Sequence, residues 1–137
     1  MPNMPAGYRH FHDELALLKQ RLLDMSERAE SLVALSVEAL LERDRDKAIA
    51  VIEADEELDR LEVEAENQAI AMLALQQPMA RDLRFLIGAI KVSSDLERVD
   101  DHAVNIAQCA VRLVDQRAAV PAVPALAEMA RRARAML

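Results

Sequence analysis

Glycine is nearly missing from this sequence, with two copies in 137 residues, cysteine occurs once, tryptophan is absent and aromatics make up 2%. Each shortage closes off a class of protein. Two glycines leave few places for the tight turns that all-β folds need. A single cysteine, Cys109, excludes an internal disulfide and reads as a small packing residue rather than a nucleophile. With so few aromatics the core must be built from Leu, Ile, Val, Ala and Met, which suits long packed helices. No run of about 18 apolar residues occurs, so no segment reads as a bilayer span. Basic residues are in deficit as well: 17 Lys and Arg stand against 24 Asp and Glu, giving a net charge of -7. Such a chain repels phosphate backbones, so nucleic acid is not expected as a partner. The first ten residues lack the apolar core of a secretory signal, and a cytoplasmic location is expected. Gly-rich phosphate loops, Cys-His pairs and nucleophile elbows are missing too, which argues against an enzyme.

What is present is helical periodicity. Phe11, Leu15, Leu18, Leu22, Met25, Ala29 and Leu32 fall on one helical face. Val51, Ala54, Leu58, Leu61, Ala65, Ala69 and Met72 form a second stripe. Ala89, Val92, Leu96, Val99, Ala103, Ile106, Ala110 and Leu113 form a third, which predicts a packing seam without a polar interruption. These stripes predict helices over about 10–43, 46–76 and 79–117, with Asp46 capping the second and Pro78 marking the turn into the third. Connections this short force neighbours to run antiparallel. The expected fold is all-α, an up-down-up three-helix bundle. Residues 118–124 read as a Pro-bearing linker. Leu126, Met129, Ala133 and Met136 then begin a fourth helix over 125–137 with no partner for its apolar face. We expect the chain to be part of something longer, with 1–117 one repeat and 125–137 the start of a second.

The second predicted helix carries two acidic stripes. Asp55, Asp59, Glu62 and Glu66, spaced four, three and four apart, project one residue beyond the apolar seam. Glu53, Glu57 and Glu64 point roughly the other way and read as solvated. On the third helix Glu97 and Asp101 repeat the offset, with Ile90, Ser94, Val104 and Asn105 nearby. Counted from Gln77, Asp59 is 18 residues back and Glu97 is 20 forward, so at 1.5 Å per residue both lie about 27–30 Å from the bend. Asp55 and Asp101 match in the same way. Carboxylates facing each other at one level raise one another's pKa or recruit a cation. The candidate ligands are therefore Asp55, Asp59, Glu97 and Asp101, with Glu62 peripheral. Oxygen-only donors favour Mg, Ca or Mn, and Fe with bridging water or hydroxide also fits. His10, His12 and His102 do not join the cluster by spacing, so zinc is disfavoured. The alternative is a structural helical adaptor whose acids are solvated flanks, with Arg81, Arg84 and Lys91 pairing Glu66 and its neighbours. A metal-dependent hydrolase lacks a positioned base or nucleophile.

Residues 11–25 with Asp13 and Glu14, the run Glu38-Ala39-Leu40-Leu41-Glu42-Arg43-Asp44, residues 55–62, Gln77-Pro78 followed by Asp82-Leu83-Arg84, and Asp95-Leu96-Glu97-Arg98 within 95–106 together resemble the PhoU family of phosphate-uptake regulators. The family is usually two tandem three-helix repeats, and the resemblance covers one of them, residues 11 to about 117. Its acidic E(D)xxxD motif falls on Glu97 with Asp101. On the second helix it falls on Asp55 with Asp59, or on Glu62 with Glu66, where Glu replaces the second Asp. The resemblance implies a non-enzymatic negative regulator linking the phosphate ABC transporter, through its ATPase subunit, to a sensor histidine kinase. It also implies metal ions on the acidic motifs and a homodimer.

Overall fold

The computed structural model describes residues 6–117, 119–121 and 123–137. It contains α1 (Ala6–Glu42), α2 (Arg45–Gln76), α3 (Ala80–Asp115) and α4 (Pro124–Arg134), with no strand among the described residues. The first three form the expected antiparallel bundle, each packed against the other two.

Both glycines, Gly7 and Gly88, lie inside helices, so the turns are made without them. Arg43 and Gln77 take the left-handed backbone conformation just beyond α1 and α2, at φ 58° and 44°, the position that glycine usually fills. The cap of α2 differs from expectation by two residues. The Asp44 carboxylate, not that of Asp46, accepts the backbone N–H groups of Asp46 and Lys47, both at 3.0 Å. Asp46 sits in the first turn, where its negative charge faces the positive end of the helix dipole.

The core divides into two clusters along the bundle. Nearer the α2–α3 turn, Leu18, Met25, Leu58, Met72 and Leu86 are fully buried. Further from it, Ala39, Ala48, Val51, Ala103, Ala107 and Ala110 bring the helices close together. The expected all-apolar seam on α3 is corrected here. The buried stripe runs Leu86, Ala89, Ser93, Leu96, Asp100, Ala103, Ala107 and Ala110, while Val92 is 46% exposed. Two polar residues therefore stand in the seam, and Asp100 lies where one apolar cluster ends and the other begins. Ser93 donates its hydroxyl to the Ile90 carbonyl at 2.9 Å; Asp100 has no such outlet.

Pro124 occupies the first turn of α4, so the linker ends one residue before the expected boundary. The helix folds back on α1. Arg134 pairs with Glu30 at 3.2 Å, and the Ser26 hydroxyl donates to the Leu137 carbonyl at 3.4 Å. Leu126 is half-buried, whereas Met129 and Met136 remain open to solvent and no residue of α4 is fully buried.

Candidate functional site

The two acidic stripes of α2 meet different surroundings. On one side α1 supplies arginines: Arg28 pairs with Glu57 at 2.8 Å and Arg21 approaches Glu64 at 3.9 Å. Arg60 of α2 also reaches Glu64 at 3.3 Å. This face, expected to be merely solvated, is thus tied to the neighbouring helix. On the other side α2 packs against α3, and α3 presents more acid.

None of Asp55, Asp59, Glu62, Glu66, Glu97, Asp100 and Asp101 forms an ion pair with Lys, Arg or His among the described residues. Among the described residues Arg81, Arg84 and Lys91 make no ion pair either, so the pairing with Glu66 weighed from the sequence is not formed there. The level matching across the α2–α3 turn is reflected in the electrostatics. Burial raises the pKa of Asp59, and the charges of Asp55 and Asp101 raise it further. Glu62 is raised by burial and by Glu66, partly offset by a hydrogen bond with Ser94, with Asp59 and Asp101 adding to the rise. Glu97 is raised by burial, then by Asp101, Glu62 and Asp59. Each is a carboxylate losing water and facing like charge, with no Lys, Arg or His paired to it among the described residues.

Asp100 is a buried acid of this face that sequence reasoning missed. Its side chain is fully buried, and neither carboxylate oxygen receives a hydrogen bond of ordinary geometry. Burial, followed by the interaction with the Asp55 carboxyl and the charges of Asp59 and Asp101, pushes its pKa up to about 7. A signal existed in the sequence. Stepping from Ala89 to Ser93 instead of Val92 carries the same three-four spacing through Leu96, Asp100, Ala103, Ala107 and Ala110, ending on a run of alanines that marks close helix packing. Apolar Val92 and Val99 masked it.

The acids form a gradient from surface to interior. Asp59 and Asp101 are exposed, Asp55, Glu62 and Glu97 are half-buried, and Asp100 is inside. Oxygen donors in this number fit a hard cation. Asp100, buried with the Asp55 carboxyl as its polar partner, is a place where positive charge or a shared proton would relieve the burial. Among the described residues no three acidic, His or Cys side chains stand close enough to form a ready-made metal shell. The row is a set of facing carboxylates on two helices, not a closed cage. His102 is exposed beside it. Cys109 is exposed as well, contrary to its expected packing role, and Arg112 donates to its sulfur at 3.3 Å.

Comparison with known proteins gives this arrangement a context. The sequence model of the PhoU domain matches residues 22–110. A protein of Caulobacter vibrioides (strain NA1000 / CB15N) named phosphate-specific transport system accessory protein PhoU homolog is 42% identical over 107 residues, covering 78% of this chain and 46% of the relative. A protein of the same name from Aquifex aeolicus is 39% identical over 103 residues, 75% of this chain and 47% of the relative. The chain thus spans about half the length of these curated relatives. Among solved structures, PhoU from Pseudomonas aeruginosa superposes with a TM-score of 0.88 at 29% identity, covering 92% of this chain and 60% of that one. The seam, the Gln-Pro turn and the facing acids of α2 and α3 all lie inside the matched span, and the chain belongs to the PhoU domain family.

Proposed function

We propose that the protein is a cytoplasmic, non-enzymatic negative regulator of phosphate uptake and phosphate-starvation signalling. It couples the ATPase subunit of a phosphate ABC transporter to a sensor histidine kinase, works as a homodimer, and binds metal through Asp55, Asp59, Glu62, Glu97 and Asp101. The family membership supports the phosphate-transport accessory role. No described helix is long and apolar enough to cross a membrane, so on this reading contact with membrane complexes runs through their cytoplasmic parts. The observation that carries the metal-binding part is the α2–α3 acidic face. Four carboxyls there have raised pKa values, and among the described residues no cationic side chain pairs with any of them.

Bound metal would supply positive charge between two helices that otherwise repel along this face, and would not perform a reaction. Asp55, Asp59 and Glu62 hold the α2 side and Glu97 and Asp101 the α3 side, so occupancy would change how firmly the helices are held together. A hard cation such as Mg, Mn, Ca or ferric iron matches the donors. The rival reading, a helical adaptor without metal, is favoured by the absence of three side chains at ligand distance among the described residues.

Affinity capture from membranes of phosphate-replete cells, with this chain as bait, tests the partners. Recovery of the transporter ATPase or the sensor kinase is the expected result, and recovery of neither overturns the coupling role. Metal content of the purified chain before and after chelation decides between the metal-binding reading and the adaptor.

A further inference from the structure

Toward the turn at Gln77 the acids of α2 and α3 give way to apolar residues on the same helical faces. On α3, steps of four, three, four, three and four residues link Leu83, Ile87, Ile90, Ser94, Glu97 and Asp101 into one stripe. On α2, Leu73, Ile70, Glu66, Glu62, Asp59 and Asp55 follow one another at steps of three and four. Each stripe runs over 18 residue steps, about 27 Å at 1.5 Å per residue, and each changes from apolar to acidic with distance from the turn. A hydrogen bond between Glu62 and Ser94 joins the two stripes across the groove.

Neither end of this groove is covered. Ile70, Leu83 and Ile87 are 40–48% exposed, while Leu73 and Ile90 beside them pack against the core. Apolar side chains scattered singly on a surface are ordinary; these stand at helical spacing on two neighbouring helices. At the other end the acids have no Lys, Arg or His paired with them among the described residues. Arg98, next to Glu97 in the sequence, approaches Asp95 at 3.9 Å instead. The chain's own basic helix does not fill the groove either. Arg131 and Arg132 of α4 are spent on Glu128, Arg134 on Glu30, and α4 packs on α1.

We infer that the α2–α3 groove is a docking site for a basic, amphipathic helix of a partner protein, with apolar side chains set on Ile70, Leu83 and Ile87 and Arg or Lys set against Glu62, Glu97 and Asp101. Charge complementarity selects this occupant. The acidic end rejects anionic surfaces such as nucleic acid or phospholipid headgroups, and the apolar end supplies the anchor that a purely basic segment lacks. A helix laid in a two-helix groove meets it at every third or fourth residue, the spacing both stripes already have. A partner's arginine or lysine pairs with single carboxylates and needs no closed ligand shell. The inference rests on the partner-binding part of the reading above, to which it adds the surface and the chemistry of contact; it makes no use of metal.

The probe is a fluorescent synthetic helix of about 20 residues, with leucines along one face of its first half and arginines continuing that face in its second half. It is titrated with the whole chain in the presence of chelator and followed by anisotropy. Ile70→Ser/Ile87→Ser and Glu97→Gln/Asp101→Asn are each expected to weaken binding about tenfold, and added salt should weaken the wild type more than the second variant. Glu57→Gln/Glu64→Gln, which takes the same charge from the opposite stripe of α2, should leave the affinity within about twofold. Absence of saturable binding, or an equal loss in the Glu57/Glu64 form, overturns the docking site. Should the serine form fail to fold, Glu97→Gln/Asp101→Asn still decides. A dimer of the chain that Ile70→Ser/Ile87→Ser splits into monomers gives the face to a second copy and overturns the proposal as well. In the membrane capture described above, loss of the transporter ATPase or the sensor kinase from both variants supports it. Equal recovery of either complex by wild type and variants overturns the docking site while the coupling role stands. Probe binding as expected with neither complex recovered supports the docking site and overturns the coupling role.

Discussion

The two acidic stripes of α2 have nearly the same composition and opposite fates. Glu57 and Glu64 face α1, which places Arg28 and Arg21 against them. Asp55, Asp59 and Glu62 face α3, which answers with Glu97, Asp100 and Asp101. A carboxylate stripe thus takes its meaning from the helix across the groove. Opposite an arginine it is a modest tether between helices; opposite more carboxylates it is a stored repulsion that a cation can relieve.

The largest effect should come from supplying that cation. If the α2–α3 face binds metal, saturating manganese at 100 times its dissociation constant stabilises the fold by about 2.7 kcal/mol through mass action. In a chain of this size that raises the melting temperature by several degrees. Glu97→Gln/Asp101→Asn should abolish the rise. A melting curve insensitive to manganese and to chelator would make the two faces equivalent and end the comparison.

Next in size is the pH dependence of the metal-free protein. Asp59, Glu62, Glu97 and Asp100 all have pKa values raised from the ordinary carboxylate value in the folded state, Asp100 reaching about 7. The folded state therefore holds more protons than the unfolded state between the ordinary carboxylate pKa and about 7. Stability is fully present below that window and falls as pH rises through it. Melting in chelator should occur several degrees higher at about pH 5 than at about pH 8. With manganese saturating, the trend should weaken or reverse, because the ligands must be deprotonated. A metal-free protein that gains stability over this interval would contradict the account of the unpaired face.

The paired face should respond less. Arg28 and Glu57 are each about half exposed, so Arg28→Gln is expected to cost about 0–1 kcal/mol, with the loss shrinking in high salt. A cost above about 2 kcal/mol would mean that the tether carries more of the fold than exposed ion pairs do.

The smallest effect comes from giving the unpaired face a cation of its own. Asn105 is exposed one turn beyond Asp101 on α3. Asn105→Arg should add about 0.3–0.5 kcal/mol to the metal-free protein through an i,i+4 pair with Asp101 and weaken manganese binding. Manganese affinity should not change with the exchange if Asp101 takes no part in the site.

Much of this protein was decided by the sequence acting locally. Scarce glycine and aromatics, apolar residues at three-four spacing and the proline after Gln77 were enough to specify three long antiparallel helices, with ends within a few residues of those observed. The same spacing placed Asp55, Asp59 and Glu62 on one side of α2 and Glu97 with Asp101 on α3, because a carboxylate's direction from its own helix axis follows from the 100° turn per residue. The rotation of that helix against its neighbours is not local. Val92 and Ser93 are adjacent choices for one seam, and the close approach of the alanines at 103, 107 and 110 turned α3 toward Ser93 and Asp100, burying a carboxylate that the apolar reading had left outside. Tertiary packing likewise chose which acids of α2 would meet arginine. A helix fixes where its charges point; the potential at those points comes from residues distant in sequence, and it exists only once the helices have packed.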